Sequence, residues 1–481
     1  MKNKSIKFFS FFLVIISTLL FLFSFIFGVI DLKIFSITIF IVSNVLFTLE
    51  DVKRHVVFLI FNLSFSLFLF SRFLLNYFFG YESTEYGLYG TNFHNIDTIN
   101  FMLNILFISI FFFTLSYLFF GKIKTKNEPS LKSKNLIFLK RSSIILFLVT
   151  LVFKIIYIKD QSNFVLGSSY YDYFLNYQSN IPTIFVKLAE LNLISYISFL
   201  SCKPDVKNRE FKVITILFTL ISIYSMTVGR RIEFMLNVLL IISFLVMNKE
   251  KKQNKLSFKN KMFLLFGSPL VLVLLNFVSN KRDAISYKSA GLFDSIGRFL
   301  FSQGVSVNLL GYTYEFQNSL PKDKFYSFGP LIEFLQNNII YKTLFGNAGY
   351  SGQTVERAME GHLFAHTISY FIMPTAYLYG RGYGSSYIAE LYYDFGFIGL
   401  IIFNVLIGLL LQKLPILANN RNWLMSLFAL LCIRNIYLLP RAEFISFLTN
   451  SVTLINILGV VLIFVLSKIL EELNKNKNRV S

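Results

Sequence analysis

The chain has 481 residues, 55% of them hydrophobic, with a mean hydropathy of +0.60 and a formal net charge of +20. A soluble domain this apolar could not cover its own surface, so the composition predicts an integral membrane protein, all-α because backbone polar groups in lipid must be bonded within the helix. The charge does not indicate nucleic acid: the basic residues are dispersed over separate short loops rather than gathered on one surface.

In chain order, the first apolar run, Phe8 to Ile30, is 23 residues long and lacks a small-residue cleavage site, so it reads as a span and not as a cleaved signal. Uncharged or nearly uncharged runs predict about twelve transmembrane helices, near 8–30, 33–49, 56–79, 99–121, 142–158, 181–202, 213–228, 232–247, 262–278, 395–411, 422–439 and 444–467. Several fall short of the roughly 20 residues needed to cross, which allows tilted or broken helices. The expected organisation is polytopic: a membrane domain over 1–278, one long extracytoplasmic loop with short helices over 279–394, three more spans over 395–467 and a cytoplasmic tail over 468–481.

Orientation follows from Lys and Arg. Alternate connections are basic, among them Lys2, Lys4 and Lys7, then Lys53-Arg54, Lys203 to Lys212 and Lys249 to Lys261. Residues 80–98 have no Lys or Arg but carry Glu82, Glu85 and Asp97. Both termini are therefore expected in the cytoplasm. Cys202 and Cys432 sit in or beside apolar spans, far apart, and give neither a disulfide framework nor a metal motif.

Ionisable residues inside spans cost a few kcal/mol each on insertion scales, so each is a functional candidate. Arg72, Lys154, Lys187, Glu190 and Arg434 qualify. Lys187 and Glu190 are three apart and can neutralise each other. Arg72, Lys154 and Arg434 occupy the outer halves of their spans, where they either line a cavity open to the outside or snorkel to the interface. Arg230 and Arg231 fill the tight turn Val228-Gly-Arg-Arg-Ile-Glu233 on the side that normally lacks positive charge, so either an anionic ligand or lipid headgroups should offset them. Glu233 could hold one of them. Leu292, Phe293, Ile296, Phe299 and Leu300 recur at helical spacing and predict an amphipathic helix carrying Arg298 and Gln303 near its end.

The turn Gly380-Arg-Gly-Tyr-Gly-Ser-Ser386 precedes a predicted helix from Tyr387. Glycines admit close backbone approach, a helix start offers free N–H groups, and Arg381 adds a fork for phosphate oxygens. Glu390 and Asp394 follow as a base or as anchors for an arginine. His362 and His366, four apart, would share a helix face, with Glu360 as a third group; acid/base, sugar-binding and structural roles all remain open to them, and a metal site lacks the His-Glu-x-x-His spacing. Tyr81, Tyr86, Tyr89, Tyr170, Tyr171, Tyr173 and Tyr177 crowd the outer loops, either as an interfacial belt or as faces for sugars. No Asp-x-Asp pair is present to hold a divalent metal. Together these features fit a metal-independent reaction on a lipid-linked diphosphate matched by arginine.

At this point the chain resembles the bacterial oligosaccharide repeat-unit polymerases, the O-antigen and capsule polymerases of the Wzy type. The architecture carries the likeness, with Gly229-Arg-Arg231, Arg298-Phe-Leu-Phe-Ser-Gln-Gly304 and Gly382-Tyr-Gly-Ser-Ser-Tyr-Ile-Ala-Glu-Leu-Tyr392. The resemblance implies a glycosyltransferase of the cytoplasmic (inner) membrane. It would move a growing glycan from undecaprenyl diphosphate onto a hydroxyl of a new lipid-linked repeat unit at the outer face. It also implies Arg230, Arg231, Arg298 and Arg381 on the diphosphates, with Gln303, Arg434 and Arg441 in support, Glu390 or His362 as the base, and no cofactor. Membrane lipids, a chain-length regulator and a flippase are the partners it implies. An O-antigen ligase shares this donor, and a polysaccharide flippase or transporter shares the span count. The long loop and the placement of the polar residues at span ends favour the polymerase over both.

Overall fold

The computed structural model describes residues 2–81, 95–119, 133–167, 173, 176–248, 292–336, 341, 343–344, 346, 349–350 and 352–480. All regular structure among these residues is helical. Among the described residues, nine helices are long and apolar enough to cross a membrane: Lys7–Phe27, Ile30–Thr48, Val52–Phe79, Ile96–Phe119, Leu136–Gly167, Thr183–Ser201, Arg209–Val228, Tyr387–Ala418 and Ser446–Asn476. Each answers to one of the twelve predicted runs. Two further runs form the shorter helices Arg231–Met247 and Trp423–Ile436. The run at 262–278 lies outside the described residues, as do Glu82, Glu85, Tyr86, Tyr89, Tyr170 and Tyr171. Large apolar side chains lie bare along the helices, with Leu19 61% and Ile216 57% exposed. Such a surface suits lipid and not water, and the chain is a multi-pass membrane protein.

The chain forms two compact units. The first comprises Met1–Ile123, Glu250–Gln412 and Ile436–Thr449. Its apolar helices pack through small polar residues that let backbones approach. Ser17 and Ser36 donate to each other's carbonyls at 2.8 and 2.7 Å, and Asn44 Nδ2 donates to both Asn62 Oδ1 and Thr114 Oγ1 at 2.8 Å. Ser66–Phe70 is a π turn inside the Val52–Phe79 span. Just past it, Ser71 Oγ donates to Leu300 O at 3.0 Å and Arg72 Nε to Phe301 O at 3.0 Å, seating the helix Leu292–Gln303. Gly304 makes this seat possible. A β-carbon there would stand 2.4 Å from Ser71 Oγ and 3.2 Å from Arg72 N. Gly304→Ala is expected to cost about 1–3 kcal/mol by overpacking, read as a lowered Tm in detergent.

The same unit carries short helices between 292 and 378, including Gly329–Gln336, Val355–Glu360 and Phe364–Ile372. Asp394 ties the turn that leads into Gly329–Gln336 to the helix Tyr387–Ala418 by accepting the N–H groups of Tyr326 at 3.1 Å and Ser327 at 2.6 Å. That helix has 32 residues, more than the roughly 20 a membrane requires, and it breaks at Gly396, where φ is 62° and ψ −157°.

The second unit comprises Lys124–Lys249, Lys413–Asn435 and Asn450–Ser481. The helices Ser133–Gly167 and Thr183–Ser201 pack along one another, tied by Asn192 Nδ2 donating to Thr150 Oγ1 at 3.3 Å. Leu454–Val480 lies against the same pair. A β-carbon on its Gly459 would meet Ile194 Cγ2 at 2.5 Å, so the two helices touch at backbone range.

Candidate functional site

The second unit encloses a cavity of about 160 Å³ walled by Lys154, Tyr157, Glu190, Arg230, Glu233 and Arg434 among others. Lys154 and Tyr157 are three apart on one helix face. After Arg209–Tyr224 the chain passes through the turn Ser225–Val228 to Gly229, whose φ of 84° suits glycine alone among ordinary residues. That reversal starts the next helix at once and sets Arg230 ahead of it, with Glu233 and Asn237 on the cavity side. Arg434 arrives from the last turn of Trp423–Ile436.

The charges in this cavity are unevenly matched. Arg230 Nη1 lies 3.7 Å from Glu233 Oε1, its Nη2 donates to Tyr173 OH at 3.5 Å, and the guanidinium sits 5.9 Å from the Tyr157 ring centre. Glu190 pairs with Lys187 at 3.0 Å, as their spacing predicts. Arg434 is 8% exposed, and its hydrogen bonds among the described residues go to neutral amides. Its Nε donates to Asn237 Oδ1 at 2.8 Å and its Nη1 to Asn435 Oδ1 at 3.0 Å. Asn237 is turned by its own donation to Ser222 Oγ at 2.9 Å, and Asn435 by donation to Ser451 Oγ at 3.0 Å. Among the described residues no carboxylate forms an ion pair with Lys154 or Arg434. Glu190 and Glu233 share the cavity without pairing with either cation, and a buried cation without a paired counter-charge is costly.

The remaining sequence-selected residues lie in the first unit. Arg298 Nε donates to Asp294 Oδ2 at 2.8 Å, and Tyr81 OH donates to Asp294 Oδ1 at 3.1 Å. The hydrogen bond from Arg298 holds the Asp294 carboxyl below the usual carboxylate range. Gln303 Oε1 accepts from Arg441 Nη1 at 3.1 Å, and Arg441 lies 5.7 Å from the Phe68 ring centre. Gln303 and Arg441 thus meet across 138 residues of sequence. Arg72 belongs to this unit, with Nη1 on Asn308 Oδ1 at 3.1 Å.

Three expectations change. Glu390 is 0% exposed, and both oxygens are occupied: Ser385 Oγ donates to Oε1 at 2.5 Å and Phe444 N to Oε2 at 2.8 Å. In this geometry it ties two segments together. The start of Tyr387–Ala418 is not an open phosphate cradle, because Ser385 and Ser386 are buried at 2% and 0%. Arg381 is exposed in the preceding turn, between Gly380 and Gly384 at φ 86° and 79°, and its carbonyl accepts from Gln353 Nε2 at 3.3 Å. His362 and His366 do not share a helix face: the helix Phe364–Ile372 begins after His362, which lies in a bend whose carbonyl presses on Gly329.

His366 Nδ1 hydrogen-bonds Tyr377 OH at 2.9 Å, and burial, with Arg357 adding, pushes its pKa down to about 4. The His362 ring is also pushed down, by burial and then by Lys324. Both are neutral at pH 7. Because the folded state holds His366 below its ordinary value, the unfolded chain takes the proton first as the pH falls. Stability is then full above about pH 6.5 and drops by about 2 kcal/mol at pH 5. His366→Gln is expected to flatten the difference in Tm between pH 7 and pH 5.

Sequence reasoning missed Asn237 and the buried pair Arg357 Nη2–Glu333 Oε2 at 2.9 Å, whose side chains are 17% and 8% exposed. Asn237, a lone amide in an apolar run, was a readable signal; the ion pair joins two short helices and had none. Residues 6–474 match the family model described as O-antigen polysaccharide polymerase Wzy. No curated protein and no solved structure matches the chain.

Proposed function

The chain belongs to the O-antigen polysaccharide polymerase family Wzy, and from that premise we propose that it joins repeat units carried on undecaprenyl diphosphate, with cationic side chains matching the diphosphate charge. The observation that carries this reading is the second unit's cavity, where Lys154 and Arg434 have no carboxylate partner among the described residues and Arg230 completes the wall. In the transfer, the bond from the reducing-end sugar carbon to the diphosphate breaks and a bond from that carbon to the acceptor hydroxyl oxygen forms. Charge grows on the leaving diphosphate. Fixed cations in a site of low dielectric stabilise that charge more than they stabilise the ground state. Arg434 gives a planar fork and Lys154 a point charge. The hydroxyl proton must pass to a base, for which His362 stays a candidate with its imidazole neutral at pH 7. Arg298, Arg381, Arg441 and Gln303 are kept as contacts for the second carrier or its glycan.

The cavity is proposed to open on the outer face of the inner membrane, with both termini in the cytoplasm, as the Lys and Arg distribution predicts. A flippase would then supply the repeat units and a chain-length regulator would set when extension stops. Deleting the gene in its host should collapse the surface ladder to single repeat units. Restoring the wild-type chain should rebuild it, and Lys154→Ala should rebuild it only weakly, with roughly tenfold less long polymer at equal protein level. Repeat units trapped on the cytoplasmic side would indicate a flippase instead, and an unchanged ladder would overturn the polymerase reading.

A further inference from the structure

The first unit holds another cavity, of about 430 Å³, beside the break in the Tyr387–Ala418 helix. This size falls in the range of small-molecule sites, roughly 300–1,000 Å³. Its wall carries three rings, Phe325, Tyr392 and Tyr393, and the polar side chains of Gln317, Asn318 and Lys322. Gly396 lines it at the break, and a β-carbon there would meet nothing within 4 Å, so backbone borders open space. A glycine break of this kind interrupts the helical hydrogen-bond ladder.

The groups around the cavity divide into two kinds. Asp394 and Lys324 are engaged in holding the wall, Asp394 on the Tyr326 and Ser327 amides and Lys324 on the Met359 carbonyl. Tyr393 OH donates to the carbonyls of Leu320 and Pro321 at 3.0 and 3.1 Å, and Tyr392 packs on Phe101 at 4.7 Å. By contrast, the side chains of Gln317, Asn318 and Lys322 have no hydrogen-bond or ion-pair partner among the described residues. Phe325 stays 57% exposed although it stacks on Phe395, with ring centres 6.0 Å apart. The result is a rigid back wall and an unengaged rim of amides, ammonium and aromatic face.

We infer that this cavity is a saccharide-binding subsite, separate in composition from the cation-walled cavity of the second unit. A sugar's apolar C–H face packs on an aromatic ring, its hydroxyls pair with amides that both donate and accept, and an ammonium takes hydroxyls or an acidic sugar's carboxylate. The rim offers all three. A diphosphate is a poor fit, because among the described residues Lys322 is the only unengaged cation on a wall that also carries Asp394. The inference rests on the polymerase reading, which makes a glycan the substrate, and it assigns this cavity to internal residues of the growing or accepting chain. A polymerase that grips its product between additions keeps it for the next one, so occupancy here sets product length.

The test uses the full chain in lipid nanodiscs and, as probe, the host's own surface polysaccharide released from its lipid by mild acid. Calorimetric titration should show binding by the wild type. Phe325→Ala and the double variant Asn318→Ala/Lys322→Ala should each weaken it at least tenfold. The same variants in a deletion strain should shift the ladder toward short chains while still joining units. Arg434→Ala should bind the released polysaccharide as the wild type does. Absent binding by the wild type, or unchanged affinity and ladder in both rim variants, overturns the subsite. If the deletion strain keeps its ladder, the polymerase reading falls and this inference falls with it; if it loses the ladder while the rim variants behave as wild type, only the subsite falls.

Discussion

Replacing Arg434 with alanine is expected to cut long-polymer formation by roughly 100- to 1,000-fold, the usual cost of deleting one preorganised donor to a developing anion, and to leave the protein folded. The second half of that expectation comes from what Arg434 touches. Its partners are the neutral amides of Asn237 and Asn435, so its removal strands no carboxylate in the interior. The large penalty for breaking a buried ion pair arises from the charge left behind, and here none is left. Arg434→Lys keeps a charge but not the fork that spans two amides, and should fall between wild type and alanine. Asn237→Ala leaves the charge in place and frees its aim; a loss of about tenfold is expected, with Arg434 still present. The measurement is the surface ladder in a deletion strain at matched membrane levels of each variant. An alanine variant with a wild-type ladder would remove Arg434, and the cavity with it, from the proposed chemistry.

Apolar runs were readable because a membrane segment is dictated by local composition alone. Residues 8–30 or 99–121 leave no alternative to a long helix, and the structure places Lys7–Phe27 and Ile96–Phe119 there. Breaks were not readable in the same way. The sequence predicted a helix from Tyr387 and a span at 395–411, but not that the two form one helix broken at Gly396. Arg72 and Arg434 looked alike in sequence, each a lone arginine in the outer half of a span. In the fold Arg72 reaches Asn308 and Arg434 reaches Asn237, each far away in sequence. The spacing of His362 and His366 predicted a shared face only if one helix covered both. The helix Phe364–Ile372 starts between them, and Leu363, the residue ahead of it, makes no side-chain cap that could have announced the start. In each case the missing information was a tertiary partner, which no pattern along the chain encodes.

The sharpest consequence of such a partner concerns Glu390. Glu390→Ala is expected to destabilise the protein by about 4 kcal/mol or more, whereas Glu390→Gln should keep both fold and ladder. The carboxyl takes one hydrogen from Ser385 and one from the Phe444 amide, with no exposed surface. Alanine leaves that hydroxyl and that N–H unmet, at about 1–3 kcal/mol each, and adds a cavity. Against a typical stability of about 5–15 kcal/mol this is a loss that membrane protein levels would register. Glutamine can do what the carboxyl does: its oxygen accepts from Phe444 N, and its NH₂ donates to the Ser385 oxygen in place of the reverse bond. A general base could not survive that exchange, because an amide does not take a proton at neutral pH. Thermal unfolding of the purified variants, read beside their ladders, separates the two roles. A Gln variant with normal Tm and no polymer would return Glu390 to the chemistry and require the Phe444 segment to move aside during turnover; a Gln variant that polymerises fixes Glu390 as the tie that keeps the segment carrying Arg441 in place.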